Sequence, residues 1–284
     1  MTKDSFLAAY RAAMRGYAFH EAGDGVGLFR LPSFSAQDDI AHGFTARTGG
    51  VSKPPFASMN LSFTRPEQRE NVMENYRIFA AHAGIAWESM VMDNYEHGTT
   101  VRAVTEADCG RGYLSDPLPP CDGLVTDREG VTLITGHADC MAFYFYDPVR
   151  RVIGLCHAGW RGALGRIGSE VVRQMVLHYG CDPKNILAGV GPSICPRCFE
   201  VGDDVAALFE NAFPDCPLRG VNKRGRATVD LWQVAMRQFM ESGIDPKHIE
   251  LMHVCTVEDE RLFSYRREGR TGGMAAYLVM MKKA

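Results

Sequence analysis

Cys140 and His157 are the residues whose types and spacing most directly suggest chemistry. A thiolate and an imidazole can share a metal ion or act as a catalytic pair. They stand at the two ends of the segment CMAFYFYDPVRRVIGLCH. Within it, residues 141–146 and 152–156 are apolar and rich in aromatic or β-branched side chains, which predicts two buried strands.

The turn between these strands sets the predicted distance between the two residues. Residues 147–150 read Asp-Pro-Val-Arg, with proline at the second position of a type I turn. If Asp147 faces Arg150, a regular hairpin places Cys140 opposite His157 with β-carbons roughly 5 Å apart. A bulge would break this register, so the placement is a hypothesis. Cys156 would then point to the opposite face, into the core.

His97, in the segment NYEHGTTV, is the third candidate ligand. Gly98 beside it allows close approach of the backbone. One thiolate and two imidazoles leave a fourth position open, which is the pattern of a catalytic zinc site. The separations between His97, Cys140 and His157 match no local zinc signature. His137 could coordinate instead, but we expect it to have a loop role.

Cys195 and Cys198 form a CxxC pair in GPSICPRCFEVG. Such a pair can be a redox centre or half of a zinc site. The sequence has no second CxxC, and no thioredoxin-like strand precedes this one. We therefore expect a strand-to-helix loop in which the two thiols are incidental.

The composition limits which binding partners and which cellular compartment fit this chain. The 284 residues are 46% hydrophobic and carry a net charge of −3, which argues against nucleic acid as the main partner. The densest basic patch, RREGR at 266–270, is expected to be a solvated or anion-binding loop. No apolar window approaches about 18 residues, and charges interrupt the N-terminal segment, so neither a membrane span nor a signal peptide is predicted. Nine cysteines, an odd number, fit a reducing cytoplasm.

The order of predicted elements indicates the fold class. A capping box at Thr64 and Glu67 predicts a helix to about residue 82, with Tyr76 in its apolar stripe. Gly180 ends a second predicted helix, and Asp230 caps a third. Strands are predicted at 131–135, 186–190 and 249–254. Short strands outnumber helices and some are hairpin-linked, which favours an α+β fold with mixed sheets over a doubly wound fold.

A set of motifs resembles one known family. FTARTGGVS, SMNLSF, CDGLVTD, HADC, HAGWRGALGRIG, GPSICPRCFEVGDDV, VDLW, and CT followed by FSYRR occur in the order found in the YfiH/LACC1 family. That family is also called laccase-domain, multicopper polyphenol oxidase or purine nucleoside phosphorylase. The resemblance implies a single α/β unit of mixed sheets in a sandwich flanked by helices. It runs from about Gly43, so residues 43–284 are expected to be the catalytic domain and residues 1–42 an N-terminal extension packed on it.

The resemblance also implies the roles of individual residues. The family's metal ligands fall on His97, Cys140 and His157, the three already selected from the sequence. Its site asparagine falls on Asn60 and its site acid on Asp139, which gives two candidate catalytic residues.

This chain departs from the family pattern near the substrate. Members usually have an arginine where this chain has Tyr76, and Arg77 cannot replace it because one helical step rotates a side chain by about 100°. We expect Tyr76 to line the substrate pocket. Members also commonly have glutamine at Tyr95 and often threonine at Ala163. Metal binding is therefore better supported than any particular substrate.

The function that the resemblance implies is zinc-dependent phosphorolysis of purine nucleosides, namely adenosine, inosine, guanosine or methylthioadenosine. Deamination of adenosine is implied as well, with zinc activating a water and Asp139 handling protons. Arg47 and Arg161 are candidates for binding phosphate and stabilising charge, and each could equally be a structural arginine. The expected partners are purine nucleosides and phosphate, with the chain a monomer or a weak homodimer.

Two other enzymatic functions stay open. A copper-dependent polyphenol oxidase would need a His₂Cys site and a separate cluster of about eight histidines, often in His-x-His pairs. The chain has nine histidines and no His-x-His, so any copper site would be a simpler one. A metal-free hydrolase could use Cys140 as nucleophile and His157 as base, but it leaves His97 unexplained. A non-catalytic zinc-stabilised interaction module is a third alternative, disfavoured by the open ligand position.

Overall fold

The computed structural model describes residues 2–21, 23 and 25–282. The α-helices are α1 (Lys3–Ala13), α2 (Pro32–Ser35), α3 (Arg69–Ala83), α4 (Trp160–Leu164), α5 (Ile167–Tyr179), α6 (Asp203–Ala212), α7 (Leu231–Glu241) and α8 (Tyr265–Glu268). The strands are β1 (Ala18–Glu21), β2 (Gly27–Arg30), β3 (Ile40–Thr45), β4 (Met90–Met92), β5 (Val101–Ala103), β6 (Gly123–Thr126), β7 (Thr132–His137), β8 (Met141–Asp147), β9 (Val152–Ala158), β10 (Leu187–Val190), β11 (Arg219–Val221), β12 (Ala227–Val229), β13 (Ile249–Leu251) and β14 (Met274–Met280). Short 3₁₀ helices lie at Trp87–Ser89, Glu106–Asp108, Pro183–Asn185 and Pro246–His248.

Two six-stranded mixed sheets form the centre of the fold. The first has the strand order β1-β2-β3-β14-β7-β4, and only the pair of β4 with β7 is parallel. The second has the order β13-β10-β8-β9-β6-β5, with parallel pairs at its two edges and antiparallel pairs between them. The β8–β9 hairpin is therefore the middle of the second sheet. Strands β11 and β12 form a separate ribbon.

The sheets pack face to face, and helices cover their outer faces. Phe44 and Leu278 of the first sheet share one core cluster with Tyr144 and Leu155 of the second. Helix α3 lies on the outer face of the first sheet, and helices α1, α5 and α7 lie on the outer face of the second. This layered arrangement confirms the predicted α+β class, a sandwich of mixed sheets flanked by helices.

Strand β8 is buried on both of its faces. Phe143 and Phe145 point toward the helices, where both rings pack against Phe239 of α7 at 5.0 and 5.1 Å. Tyr144 and Tyr146 point the other way, into the core between the sheets. A strand that is covered by helices on one face and by another sheet on the other has no polar face. This explains why the segment from Met141 to Tyr146 does not alternate between apolar and polar residues.

The predicted register of this hairpin is wrong by two residues. Asp147 pairs with Val152 and Ala142 pairs with His157, so residues 148–151 form the turn. Arg151 has φ 54°, a left-handed conformation that is most common at glycine, and this turn contains no glycine that could have predicted it. Cys140 lies two residues before Ala142, outside the strand, and approaches His157 from a loop.

Helix α3 begins later than predicted. The Thr64 hydroxyl is hydrogen-bonded to the Ser62 hydroxyl, and Glu67 accepts a bond from Asn60, so neither forms the predicted capping box. The helix starts at Arg69 and has 15 residues.

The other helix signals are confirmed, since Gly180 ends α5 with φ 65° and the Asp230 carboxylate caps α7. No helix of the described chain is long and apolar enough to cross a membrane.

The N-terminal residues share the first sheet with the rest of the chain. Strand β1 pairs with β2, and β2 pairs with β3, at the edge of that sheet. Helix α1 places Phe6 and Tyr10 in the core cluster beside α7. The division into an extension of residues 1–42 and a catalytic domain of residues 43–284 stays a prediction.

Candidate metal centre

Three side chains from three separate segments meet at one end of the two sheets. The ligand atoms of His97, Cys140 and His157 all lie within 4.8 Å of one another. His97 is exposed, Cys140 is half-buried and His157 is 2% exposed, so the group opens to the surface on the His97 side. The sequence thus selected three residues that the fold brings together.

Each of the three side chains is positioned by its own backbone feature. His97 lies in the loop after β4 with φ 64°. Cys140 follows a sharp bend in which Asp139 has φ 92°. His157 belongs to β9, and its ring packs against Tyr95 with the centroids 4.5 Å apart and the planes tilted by 33°. Left-handed backbone at two non-glycine positions is unusual and turns both loops toward the strand.

The Asp122 carboxylate holds both the loop that carries His97 and the side chain of His157. It accepts hydrogen bonds from the backbone N–H groups of Glu96, His97 and Gly98 at 3.2, 2.9 and 2.8 Å. Its Oδ1 also lies 3.1 Å from Nδ1 of His157. Asp122 is fully buried, and a proton on Nδ1 leaves Nε2 of His157 free for a metal. Asp122 stands in the CDGLVTD motif, but this role could not be predicted from the motif because 35 residues separate Asp122 from His157.

The space among the three ligands fits an ion. A β-carbon added to Gly159 would lie 2.8 Å from Cδ2 of His97, 3.4 Å from Cε1 of His157 and 3.5 Å from Sγ of Cys140. The missing side chain at Gly159 therefore leaves a small concavity that all three residues border. Two imidazoles and a thiolate suit zinc and copper better than a hard cation.

Without a bound ion, Cys140 and His157 form a thiolate–imidazolium pair. Burial opposes the charge on Cys140, but the neighbouring His157 and His97 outweigh it and lower the pKa of the thiol to about 6. Burial also opposes the charge on His157, while the Cys140 thiolate and Asp122 raise its pKa to about 10. A metal ion would take the place of the imidazolium proton.

His137 is not a member of the group. It ends β7, so the expected loop placement is wrong, and it is 4% exposed. Its Nε2 lies 2.7 Å from the Thr135 hydroxyl and its Nδ1 lies 3.2 Å from the Cys140 carbonyl oxygen. Both ring nitrogens therefore have protein partners, and the ring braces the loop that carries Cys140.

The two candidate catalytic residues differ in their surroundings. Asp139 adjoins Cys140 and lines a cavity of about 160 Å³ together with Trp160 and Arg266. Its carboxylate accepts bonds from the Thr256 hydroxyl at 2.6 Å and from the Arg266 backbone N–H at 2.7 Å.

Asn60 is fully buried, and its side-chain amide bonds within the protein. Its carbonyl oxygen accepts from the backbone N–H groups of Ser62 and Gly273, and its amide nitrogen donates to Glu67 at 2.6 Å. This pattern joins three loop segments.

The three candidate substrate residues also differ. Arg47 pairs with Glu268 at 2.7 Å and lies over the Phe263 ring, so its charge already has a partner. Arg161 is exposed and lies over the Trp160 ring at 4.2 Å. Among the described residues, no acidic side chain pairs with Arg161.

Tyr76 is 2% exposed, and its hydroxyl donates to the Leu61 carbonyl at 2.8 Å. Its ring stacks on Phe63 at 5.5 Å. Tyr76 thus packs beneath the segment that carries Asn60. Arg77 faces the surface beside Glu74, as the helical step predicts. A direct contact of Tyr76 with substrate stays a prediction.

Replacing Asp122 by Asn should weaken metal binding by about 10- to 100-fold, because one amide oxygen cannot accept all four hydrogen bonds that the carboxylate accepts. The matched control is Asp127→Asn, a change to a surface aspartate paired only with Arg128. Competition with a chelator would measure how tightly each variant binds the metal of this centre. The metal of this centre is identified as the equivalent that is lost in Cys140→Ala. Equal affinities in the Asp122 and Asp127 variants would contradict the role given to Asp122.

The sequence and the fold both match known proteins. The family model described as multi-copper polyphenol oxidoreductase laccase matches residues 41–282. A protein of Deinococcus radiodurans named purine nucleoside phosphorylase is 36% identical over 260 residues, which is 91% of this chain and 95% of that protein. Purine nucleoside phosphorylase YlmD of Bacillus subtilis is 33% identical over 85% of this chain and 89% of its own length.

Two solved structures share this fold. YlmD from Geobacillus stearothermophilus superposes with a TM-score of 0.87 at 32% identity, covering 93% of this chain and 99% of that chain. The Bacillus licheniformis protein YfiH superposes with a TM-score of 0.83 at 29% identity, covering 92% and 98%. The chain therefore belongs to the YfiH/LACC1 family of laccase-like domains, whose relatives include proteins named purine nucleoside phosphorylase.

Proposed function

We propose that this protein is a zinc-dependent purine nucleoside phosphorylase whose zinc is held by His97, Cys140 and His157. The observation that carries the proposal is the convergence of these three donors beside the cavity lined by Asp139. The names of the relatives support the reaction class. The proposed substrates are phosphate and adenosine, inosine, guanosine or methylthioadenosine.

In phosphorolysis, a phosphate oxygen forms a bond to C1′ of the ribose as the bond from C1′ to the purine nitrogen breaks. The electron pair of the broken bond goes to the purine, which takes up the proton that phosphate gives up. When bound, zinc supplies Lewis acidity that stabilises negative charge developing on a ligand. The products are the free base and ribose 1-phosphate.

The protein's own residues would bind phosphate and move protons. Arg161 is exposed, follows by two residues the Gly159 that borders the metal centre, and lacks an acidic partner among the described residues, so its guanidinium can bind a phosphate dianion. Arg65 is a further candidate: its Nε is buried without a partner, and its charge acts on Tyr95, whose ring packs against His157. Arg47 is held by Glu268, which favours a structural role for it.

Asp139 is the proposed proton carrier. Its carboxylate is held by Thr256 and the Arg266 backbone next to Cys140, and a carboxylate oxygen has lone pairs beyond those bonds. The same residue would serve adenosine deamination, in which a water oxygen bonds to C6 and ammonia leaves. Asn60 is proposed as a positioning residue, because its amide joins loops and its bonds are made within the protein.

The second candidate metal is copper, since two imidazoles and one thiolate also suit it. The family description names a multicopper oxidase. However, the ligand clusters found among the described residues contain only two of the nine histidines, His97 and His157. A trinuclear copper cluster has no ligands in that set, so a phenol oxidase would have to work through a single ion.

Protein purified without added metal should release free base from inosine or adenosine only when phosphate is present, with ribose 1-phosphate as the second product. Adenosine should also give inosine and ammonia. Replacing Cys140 by Ala should remove one metal equivalent and abolish base release, while the chain stays folded because a domain of this size does not depend on one ion. Chromatography of the products and elemental analysis of the protein measure these outcomes.

The matched control is Cys109→Ser, a half-buried thiol that is not part of the metal centre. It should keep both the metal and the activity. Base release that needs no phosphate would indicate a hydrolase. Full activity in the Cys140→Ala variant, after loss of that metal equivalent, would overturn the proposed centre.

A further inference from the structure

A second group of metal-ligand side chains lies outside the centre described above. Cys195, Cys198, Cys255 and Glu258 have ligand atoms that all lie within 4.8 Å of one another. We call this group the cysteine cluster. The first two thiols were expected to be incidental, because the sequence shows no relation between them and Cys255, 60 residues after Cys195.

Two loops carry the cysteine cluster, and the second sheet places them side by side. Strands β10 and β13 are parallel neighbours, so the loops that follow them leave the same edge of the sheet. A backbone bridge continues this pairing at Ser193 and Cys255. The Cys195 carbonyl accepts the Cys198 N–H at 3.0 Å, and the Cys255 carbonyl accepts the Asp259 N–H at 2.9 Å. Each loop therefore forms a turn that presents two ligands spaced as C-x-x-C or C-x-x-E.

The ligand atoms face one another across a small gap. Cys195 and Cys255 are 3% and 7% exposed, and the Cys195 backbone N–H donates to Sγ of Cys255 at 3.4 Å. The Sγ atoms of Cys195 and Cys198 lie 3.8 and 3.6 Å from Oε1 of Glu258. A sulfur and a carboxylate oxygen bound to one tetrahedral zinc, at about 2.3 and about 2.0 Å, lie about 3.5 Å apart, close to these two distances. A backbone N–H aimed at a sulfur stabilises its thiolate form.

A cation beside the cluster offsets part of its charge. The Arg197 guanidinium donates to Oε2 of Glu258 at 2.8 Å and to Oε1, the oxygen nearest the sulfurs, at 3.1 Å. Three thiolates and a carboxylate would leave a zinc complex with two negative charges, and Arg197 compensates one of them. A cavity of about 130 Å³ borders Cys195, Cys255 and Glu258.

We propose that the cysteine cluster is a second metal site, which binds zinc structurally through three thiolates with the Glu258 carboxylate as fourth ligand. Thiolate-rich sets of four ligands are typical of closed structural zinc sites. A single disulfide would use two of the thiols and leave the third thiol and Glu258 without a role. Zinc uses all four.

The site would hold the loops that support Asp139. The Ile194 backbone N–H donates to the Asp139 carbonyl at 2.9 Å, and the Thr256 hydroxyl donates to its carboxylate at 2.6 Å. These two residues directly precede Cys195 and directly follow Cys255. Zinc bound between the loops would therefore fix the position of Asp139 without touching substrate.

The test is the metal content of four proteins expressed with zinc in the medium: the natural chain, Cys140→Ala, Cys198→Ser and the double variant. Elemental analysis should give two zinc equivalents for the natural chain and none for the double variant. Each single variant should hold one. The Cys140→Ala protein isolates the cysteine cluster, so this result is independent of the proposed function. Cys198 is half-buried at the cluster's edge, so Cys198→Ser should fold, and Cys109→Ser is the matched control that keeps both equivalents.

Cobalt replacement gives a second readout. In the Cys140→Ala background, cobalt should give the strong sulfur-to-metal absorption of a three-thiolate tetrahedral site, and Glu258→Gln should weaken cobalt retention while leaving the core intact. The proposal is overturned if Cys140→Ala protein holds no metal. It is equally overturned if mass spectrometry of that protein shows a disulfide between any two of the three cysteines.

Discussion

The buried carboxylate of Asp122 joins two of the three segments that form the candidate metal centre. It accepts hydrogen bonds from the backbone N–H groups of residues 96–98 and contacts the imidazole of His157. One negative charge therefore orients both a loop and a strand residue. A buried carboxylate without such partners would be costly. The four contacts lower its pKa against the opposing effect of burial, so it stays ionised and keeps the His157 tautomer fixed.

The rest of the fold supplies the rigid frame that this contact needs. The β8–β9 hairpin is buried on both faces, so His157 cannot shift without disturbing two cores. The bend at Asp139 is supported by Ile194 and Thr256 from the neighbouring edge of the same sheet. The candidate metal centre is thus built on loops, and each loop is tied to a packed strand. The proposed zinc in the cysteine cluster would reinforce the least regular of these loops.

Sequence patterns predicted the helices, the strands and the grouping of three candidate ligands better than their exact placement. The spacing of apolar residues identified α5, α7 and the strands, because positions that are buried at regular intervals carry apolar side chains. The start of α3 and the hairpin register were wrong, because Glu67 bonds to Asn60 instead of capping and Arg151 adopts a left-handed conformation that usually calls for glycine. The roles of Asp122 and of Cys255 depend on contacts across 35 and 60 residues, which one sequence does not encode locally.

The decisive measurement is anomalous diffraction at the zinc edge from crystals of protein purified without added metal and soaked with inosine and phosphate. We predict a zinc peak within bonding distance of His97, Cys140 and His157, with the purine nucleoside bound beside the zinc and against Asp139. An empty site between these three residues, or a nucleoside bound far from them, would contradict the proposed metal centre.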